Sequence, residues 1–178
     1  MGSLIGHGSY RRKPKDERQA YSMRIKRWWC KACHRSLSVL PDFVLALRHY
    51  LVRVIQCVVA ERFERGRPWG EVKAQCACQG TPALRTMQRW CKAFLEHALL
   101  WLGVVQETLA QQDSRSAWLD PQGEAPKADN LAGALLAASL HLLAWAKTQW
   151  PQLAGYGWND RLRFLWLWGW SQGLGRLV

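Results

Sequence analysis

The chain has 178 residues, of which 25 are Lys or Arg and 13 are Asp or Glu, so its net charge is +12. The basic N-terminus lacks the apolar run of a secretory signal, and the most apolar window, residues 131–145, is shorter than a membrane span. The six cysteines therefore favour reduced thiols or metal ligands over a disulfide framework.

The positive charge is concentrated in the first part of the chain. Residues 1–67 contain 15 Lys or Arg against 5 Asp or Glu, a net charge of +10, whereas residues 99–178 contain 6 of each. A basic surface of this kind attracts a polyanion, and the attraction weakens as salt rises. Nucleic acid is the expected partner, and an acidic membrane surface is a distant second.

Residues 1–40 are predicted to form a basic β-hairpin. From Tyr21 onward, bulky residues alternate with Arg24 and Lys26, which is the pattern of a half-buried strand. The segment from Pro14 to Asp16 supplies a turn, so the hairpin is expected to have a long loop. We expect its basic residues to contact the DNA backbone: Arg11, Arg12, Lys13, Arg24, Lys26 and Arg27.

The predicted strand runs into a CxxC knuckle formed by Cys30 and Cys33. Two thiolates at this spacing can bind one tetrahedral Zn²⁺, but a complete site needs four ligands. A second cysteine pair at ribbon spacing is absent from the sequence, and His7 and His34 are the candidates for further ligands. The alternative is a knuckle that carries two free thiols.

Residues 41–110 are predicted to form a homeodomain-like helix-turn-helix unit. Asp42 is expected to cap a long first helix that runs from Val44 to Arg62, and Pro68 opens a second helix that reaches about Cys76. A tight turn over residues 77–80 leads to the third helix, with Thr81 as its cap and Pro82 at its first position. Trp90 is expected to be buried against the first helix.

The third helix is predicted to be the recognition helix. The residues expected to form its buried stripe are Leu84, Met87, Cys91, Phe94, Leu95 and Ala98. Polar and basic side chains lie on the opposite side and at the start of the helix, where they can reach phosphates and guanine edges in a major groove. The predicted DNA contacts are Thr81, Arg85, Thr86, Gln88, Arg89 and Lys92. The alternative is an ordinary amphipathic helix with a solvated basic face.

The C-terminal part is predicted to be helical and rich in tryptophan. The recognition helix is expected to continue toward Leu109, and residues 111–130 are expected to form a linker. Residues 131–178 are expected to contain a helix, a turn and a last helical stretch, with His141 of the helix buried in the hydrophobic core. Its tryptophans are expected to pack on the helices or to form an oligomer interface: Trp158, Trp166, Trp168 and Trp170. Stacking on nucleic-acid bases is the alternative.

The order of these motifs resembles a known arrangement. A basic strand, the segment Arg27-Trp-Trp-Cys-Lys-Ala-Cys-His-Arg35, helices and then Thr81-Pro-Ala-Leu-Arg-Thr-Met-Gln-Arg-Trp90 are similar to the zinc ribbon plus helix-turn-helix of bacterial insertion-sequence and transposon-associated proteins. The resemblance is to an uncharacterised family that carries this pair without a nuclease domain. In such ribbons a first CxxC precedes a segment like Gly2-Ser3 and Gly6-His7-Gly8. The resemblance therefore implies that the chain is clipped and that the missing pair would lie immediately before Met1.

The sequence thus predicts a mainly α protein with a small N-terminal β-hairpin, which is half of a zinc ribbon, a homeodomain-like helix-turn-helix and C-terminal helices. The expected function is binding of double-stranded DNA, as a non-enzymatic accessory or regulatory protein of a bacterial mobile element, in the cytoplasm at the nucleoid. One alternative is an interaction module whose tryptophan-rich half binds a transposase or forms a homodimer. The other is an RNA-binding protein.

Overall fold

The computed structural model describes residues 4–46, 48–76, 80–112, 130–175 and 177–178. Its strands are β1 (Leu4–Arg12), β2 (Met23–Cys30) and β3 (Arg35–Ser38). Its helices are α1 (Val52–Phe63), α2 (Trp69–Gln75), α3 (Leu84–Gln112), α4 (Leu131–Gln149) and α5 (Arg161–Ser171), with short 3-10 helices at Pro151–Leu153 and Trp158–Asp160. The predicted fold class, mainly α with a small N-terminal hairpin and C-terminal helices, is confirmed.

The described N-terminal residues form a three-stranded antiparallel sheet in the order β1-β2-β3. Ile25 is buried while Arg24 and Lys26 are exposed, so the alternation predicted for β2 is confirmed. The third strand was not predicted, because all four of its residues are exposed and leave no pattern of burial in the sequence. β1 and β2 shift register between Gly6 and Ser9, and Gly8 adopts a φ of 84° in this irregular stretch.

The first helix begins at Val52, eight residues later than predicted. The carbonyl oxygens that precede α1 accept hydrogen bonds from the sheet and its loop. The Arg12 guanidinium donates to those of Leu45 and Arg48, and the Lys15 amide donates to that of His49. A helix needs those carbonyls for its own ladder, so it cannot form there. Leu47, which precedes the helix, lies outside the described residues.

The predicted cap at Asp42 is also wrong. Its carboxylate accepts a hydrogen bond of 2.9 Å from the Tyr156 hydroxyl and pairs with Arg163, which ties this segment to the C-terminal part of the chain. The carboxylate is therefore committed to a long-range contact and not to the first turn of α1.

α3 is 29 residues long and spans about 43 Å. Its buried face includes Met87, Cys91, Phe94 and Ala98, as predicted, and continues through Trp90, Trp101, Leu102, Val105 and Leu109. Leu84 and Leu95 were predicted to be buried, but each is 39% exposed. Trp90 and Trp101 lie on the buried face of α3, and Leu84 and Leu95 lie at the border between that face and the exposed one.

The C-terminal helices share one hydrophobic core with α1, α2 and α3. α4 packs along α3, and α5 packs on both α1 and α4. A Cβ atom at Gly169 of α5 would lie 2.1 Å from the ring of Trp101 in α3, so only glycine leaves room for the Trp101 ring against α5. His141, predicted to be a core histidine, is exposed. Of the predicted linker, residues 111 and 112 belong to α3, Asn130 directly precedes α4, and residues 113–129 lie outside the described part of the chain.

Among the described residues one helix, α4, is long and apolar enough to cross a membrane, with a mean hydropathy of 1.3. Its buried residues include Leu135, Leu136, Leu142 and Leu143, and they pack in the core that α4 shares with α3. This packing accounts for the apolar composition of α4, as in the core helix of a folded domain.

Candidate nucleic-acid interface

The first half of α3 presents a polar and basic stripe to solvent. Arg85, Gln88, Arg89 and Lys92 are all exposed and recur at three- and four-residue spacing, so they lie along one face of the helix. Thr86 is half-buried beside this stripe, with its Oγ1 3.5 Å from a guanidinium nitrogen of Arg89. The predicted contact residues of α3 are thus brought together on one surface.

The start of α3 differs from its prediction. The carbonyl oxygen of Ala83 accepts hydrogen bonds from the amides of Thr86 at 2.8 Å and Met87 at 3.2 Å, and the helix begins at Leu84. Thr81 is therefore two residues too early to be its cap, and Pro82 precedes its first position. Thr81 lies half-buried in the segment that leads into the helix.

Buried aromatic packing fixes the direction in which the stripe points. Trp90 lies edge-on to Tyr50, with ring centroids 5.4 Å apart, and the Tyr50 hydroxyl donates a hydrogen bond of 2.8 Å to the carbonyl oxygen of Gly80. Gly80 adopts a φ of 80°, which favours glycine, in the turn before α3. Residues 77–79 of that turn, including Cys78, lie outside the described residues.

The basic stripe has a defined end. Glu96 lies 3.8 Å from Lys92 in an i,i+4 ion pair, and beyond it the exposed surface of α3 is apolar at Leu99 and Leu100. The cationic part of the helix therefore extends from Arg85 to Lys92, a rise of about 10 Å.

The hairpin contributes a second basic surface. Arg11 lies directly opposite Arg24 in the β1–β2 register, and Lys26 lies two residues further along the same face of β2. Like charges placed opposite each other destabilise a sheet, so this face gains stability when an anion binds. Lys13 is also exposed, whereas Arg27 is partly buried.

Arg12 has a different position from the one predicted. Its guanidinium is turned inward and donates to the backbone carbonyls of Leu45 and Arg48. It therefore holds the sheet against the segment before α1, and contact of this residue with the DNA backbone stays a prediction.

The CxxC knuckle places two thiols at the end of β2. Hydrogen bonds from the amide and thiol of Cys33 and from the amide of Ala32 lower the pKa of the Cys30 thiol. His34 adopts a φ of 53° and donates its amide to the Cys30 carbonyl oxygen at 2.9 Å. The knuckle thus has a tight turn and a thiol that ionises more readily than a free cysteine.

His7 and His34, the candidates for further metal ligands, lie against Trp29. Their ring centroids are 5.4 and 6.2 Å from that of Trp29, and no group of three or more metal-binding side chains occurs in the part of the chain that the structure describes. The described residues supply two thiol ligands and do not close a tetrahedral site. Zinc binding at Cys30 and Cys33 stays a prediction.

The remaining described cysteines lie among the helices. Burial raises the pKa of Cys91 to about 12, as expected for a thiol that serves as a small hydrophobe. Cys57 of α1 lies with its Sγ 2.8 Å from that of Cys76 at the end of α2. The sequence does not predict this pair, because helix packing brings the two residues together across 19 positions.

Lys15, Arg48 and His49 were not predicted as functional residues, yet they line a concave surface together with Thr86 and Arg89. They come from the β1–β2 loop and from the segment before α1, which the sequence reads as a turn and a helix. Local patterns contain no information on such a meeting of distant segments.

Comparison with known proteins identifies the N-terminal half. The family described as "Domain of unknown function (DUF6431)" matches residues 1–90. The chain belongs to this family. The DUF6431 segment contains the sheet, α1, α2 and α3 as far as Trp90, so it includes Arg85 and Arg89 of the basic stripe. No curated protein and no solved structure matches the chain.

Proposed function

We propose that this protein binds double-stranded DNA, with the first half of α3 in the major groove and the hairpin on the backbone. The observation that carries the proposal is the exposed stripe from Arg85 to Lys92, held outward by the buried face of α3. Arginine and glutamine are the side chains that make paired hydrogen bonds to guanine and adenine edges. At about 3.4 Å per base pair, a stripe of about 10 Å faces roughly three base pairs.

The hairpin supports this proposal as a second, sequence-independent contact. Arg11 of β1, Lys13 of the loop after it, and Arg24 and Lys26 of β2 are exposed, and Arg11 lies opposite Arg24. Such residues neutralise phosphates and fix the register of a recognition helix without reading bases. Their contribution is expected to fall steeply as salt rises.

The biological setting that we propose is a bacterial mobile element, in which the protein acts as an accessory or regulatory DNA-binding component. This part rests on the resemblance of the knuckle and of residues 81–90 to insertion-sequence proteins. No catalytic step is assigned to the chain. The expected location is the cytoplasm at the nucleoid.

Substitution of Arg89 by Ala tests the base-reading role. On a duplex selected for tight binding, the variant should lose about 1 to 3 kcal/mol of binding free energy and relax its preference at one base position. Lys147→Ala on α4 is a control that removes a positive charge outside the stripe. An equal loss on selected and random duplexes would make Arg89 a phosphate contact and end the base-reading proposal.

A second candidate function is protein binding or self-association through α5. Trp170 is 77% exposed and Leu167 is exposed on the same helix, and exposed aromatic residues are enriched at protein interfaces. Sedimentation velocity of Trp170→Gln against the unmodified chain tests for a homodimer, and titration with a transposase tests for that partner. Unchanged behaviour in both measurements would remove this candidate. Competition between duplex DNA and structured RNA separates the RNA-binding alternative.

A further inference from the structure

A concave surface encloses a hollow of about 410 Å³ where the β1–β2 loop, the segment before α1 and the start of α3 meet. The residues that line it include the basic residues Lys15, Arg48, His49 and Arg89 and the hydroxyl-bearing residues Tyr50 and Thr86. These residues are separated in the sequence by up to 74 positions, from 15 to 89, and only the fold brings them together.

The position of Lys15 in this surface is fixed by its backbone. Its amide donates to the His49 carbonyl oxygen at 2.8 Å, and its own carbonyl oxygen accepts from the Leu51 amide at 2.9 Å. Its side chain passes over Gly80, where an added Cβ would lie 3.0 Å from the Lys15 Nζ. The ammonium group therefore lies beside the turn that leads into α3.

The charge of this surface is positive. Lys15, Arg48 and Arg89 are cations, and no carboxylate occurs among the described residues that line it. Asp16 and Glu17 follow Lys15 in the sequence, but both pair with Arg53, which lines a different hollow. A concave wall with one sign of charge concentrates the opposite charge inside it.

We propose that this surface binds a phosphate group and that the group is a backbone phosphate of the DNA in contact with α3. The Lys15 ammonium group, the Arg48 guanidinium and the Thr86 hydroxyl are donors, and phosphate oxygens are strong acceptors of such charge-assisted hydrogen bonds. Ala83, at the start of α3, also lines the surface, and helix N-termini favour anions. A phosphate held here fixes how α3 enters the groove. The inference rests on the proposed function for its source of phosphate.

The first arm of the test uses inorganic phosphate and the full chain. Titration is followed by the amide NMR signals of residues 48–50 and 83–89. Lys15→Gln should weaken phosphate binding about tenfold, since it removes a charged hydrogen bond. Lys147→Gln, the same change on α4, should leave it unaltered.

The second arm uses duplex DNA. Lys15→Gln should weaken binding about five- to tenfold on selected and random duplexes alike, lower the salt slope by about 1 and leave the base preference unchanged. Thr86→Val is a second variant, which removes one donor and keeps the side-chain shape. The midpoint of thermal unfolding is recorded for each variant, so that loss of binding is separated from loss of fold.

The outcomes separate this inference from the proposed function. If folded Lys15→Gln and Thr86→Val bind inorganic phosphate as the unmodified chain does, the phosphate site is refuted, while DNA binding through Arg85 and Arg89 can still hold. If both variants lose inorganic phosphate but the unmodified chain does not bind duplex DNA, the site takes a free phosphate group and the DNA proposal fails.

Discussion

The carboxylate of Asp16 organises the loop that joins β1 to β2. It is fully buried and accepts hydrogen bonds from the amides of Arg18 at 2.7 Å and Gln19 at 2.8 Å and from the Tyr21 hydroxyl at 2.5 Å, and it pairs with Arg53 of α1. Burial by itself raises its pKa, but the Tyr21 hydroxyl, the two amides and Arg53 together lower the pKa to about 2. The charged form is therefore the one that the fold stabilises.

Asp16→Asn should lower the free energy of unfolding by about 1 to 3 kcal/mol at pH 7, because it removes a charged acceptor from four donors. The folded pKa lies below the ordinary value of 3.8, so this stabilisation is complete above that value and is lost as the pH falls toward 2. Urea unfolding at pH 7 and at pH 2.5 should show the difference between variant and unmodified chain shrinking at the lower pH.

Glu17→Gln is the matched control for Asp16→Asn. Glu17 also pairs with Arg53, at 3.1 Å, but both side chains are close to half exposed, so the expected change is below about 1 kcal/mol. A difference between Asp16→Asn and the unmodified chain that is the same at both pH values would show that the carboxylate charge does not hold the loop.

At the scale of single residues, the sequence predicts those features that depend on near neighbours. The exposure of Arg85, Arg89 and Lys92 follows from helical spacing and is observed. The inward turn of Arg12 depends on carbonyls 33 and 36 positions away, and local pattern carries no information about them. The same holds for Gln56, whose side chain is buried and bonds both Trp158 and the Leu162 amide at the start of α5.

At the scale of elements, α3 combines a buried stripe with a cationic stripe that ends at Glu96. The ion pair between Lys92 and Glu96 is exposed, so it contributes little to stability. Its effect on the proposed DNA binding is larger than its effect on stability, because the Glu96 carboxylate places a negative charge on the proposed contact face.

Glu96→Gln should therefore strengthen binding to selected and random duplexes alike, about two- to fivefold, and make the salt slope steeper by up to about 1 as Lys92 gains a phosphate. Gel-free fluorescence anisotropy at several salt concentrations measures both quantities. Glu107→Gln, the same change near the far end of α3, should have no effect. Weaker binding of Glu96→Gln would place this face of α3 away from the nucleic acid.

The helix boundaries show where element prediction succeeds and where it fails. Pro68 and Trp69 open α2 as expected, since the proline fits the position before a first turn. The predicted start of α1 lies eight residues before the observed one because Val44 and Leu45 are buried and fit a helical stripe. These residues instead belong to a turn that Arg12 of β1 holds by hydrogen bonds to the Leu45 carbonyl oxygen. Burial alone does not distinguish a helix from a turn that tertiary contacts stabilise.

At the scale of the whole molecule, Arg161 joins the C-terminal helices to the N-terminal half. Its guanidinium is fully buried, bonds both carboxylate oxygens of Glu64 at 2.5 and 2.7 Å and the Leu136 carbonyl oxygen at 3.2 Å, and lies over the Trp158 ring. Contacts therefore connect the end of α1 with α4 and α5, and the segment that matches DUF6431 shares its core with the rest of the chain.

Arg161→Ala should lower the free energy of unfolding by about 3 kcal/mol, because it leaves the Glu64 carboxylate partly buried and unpaired. Lys92→Ala, which breaks the exposed ion pair with Glu96, is the control, with an expected loss below about 1 kcal/mol. Equilibrium unfolding followed by circular dichroism measures both. Equal losses in the two variants would show that the link between the chain's two halves carries no particular stability.

The measurement that tests the central claim most directly is equilibrium binding of the purified full chain to selected and random duplex DNA over a range of salt, with zinc content assayed on the same sample. We expect a selected site to be bound about 10³-fold or more tightly than random duplex, with a log–log salt slope of about −4 or steeper. Equal affinity for all duplexes with a shallow slope would contradict the assignment of α3 as a helix that reads DNA.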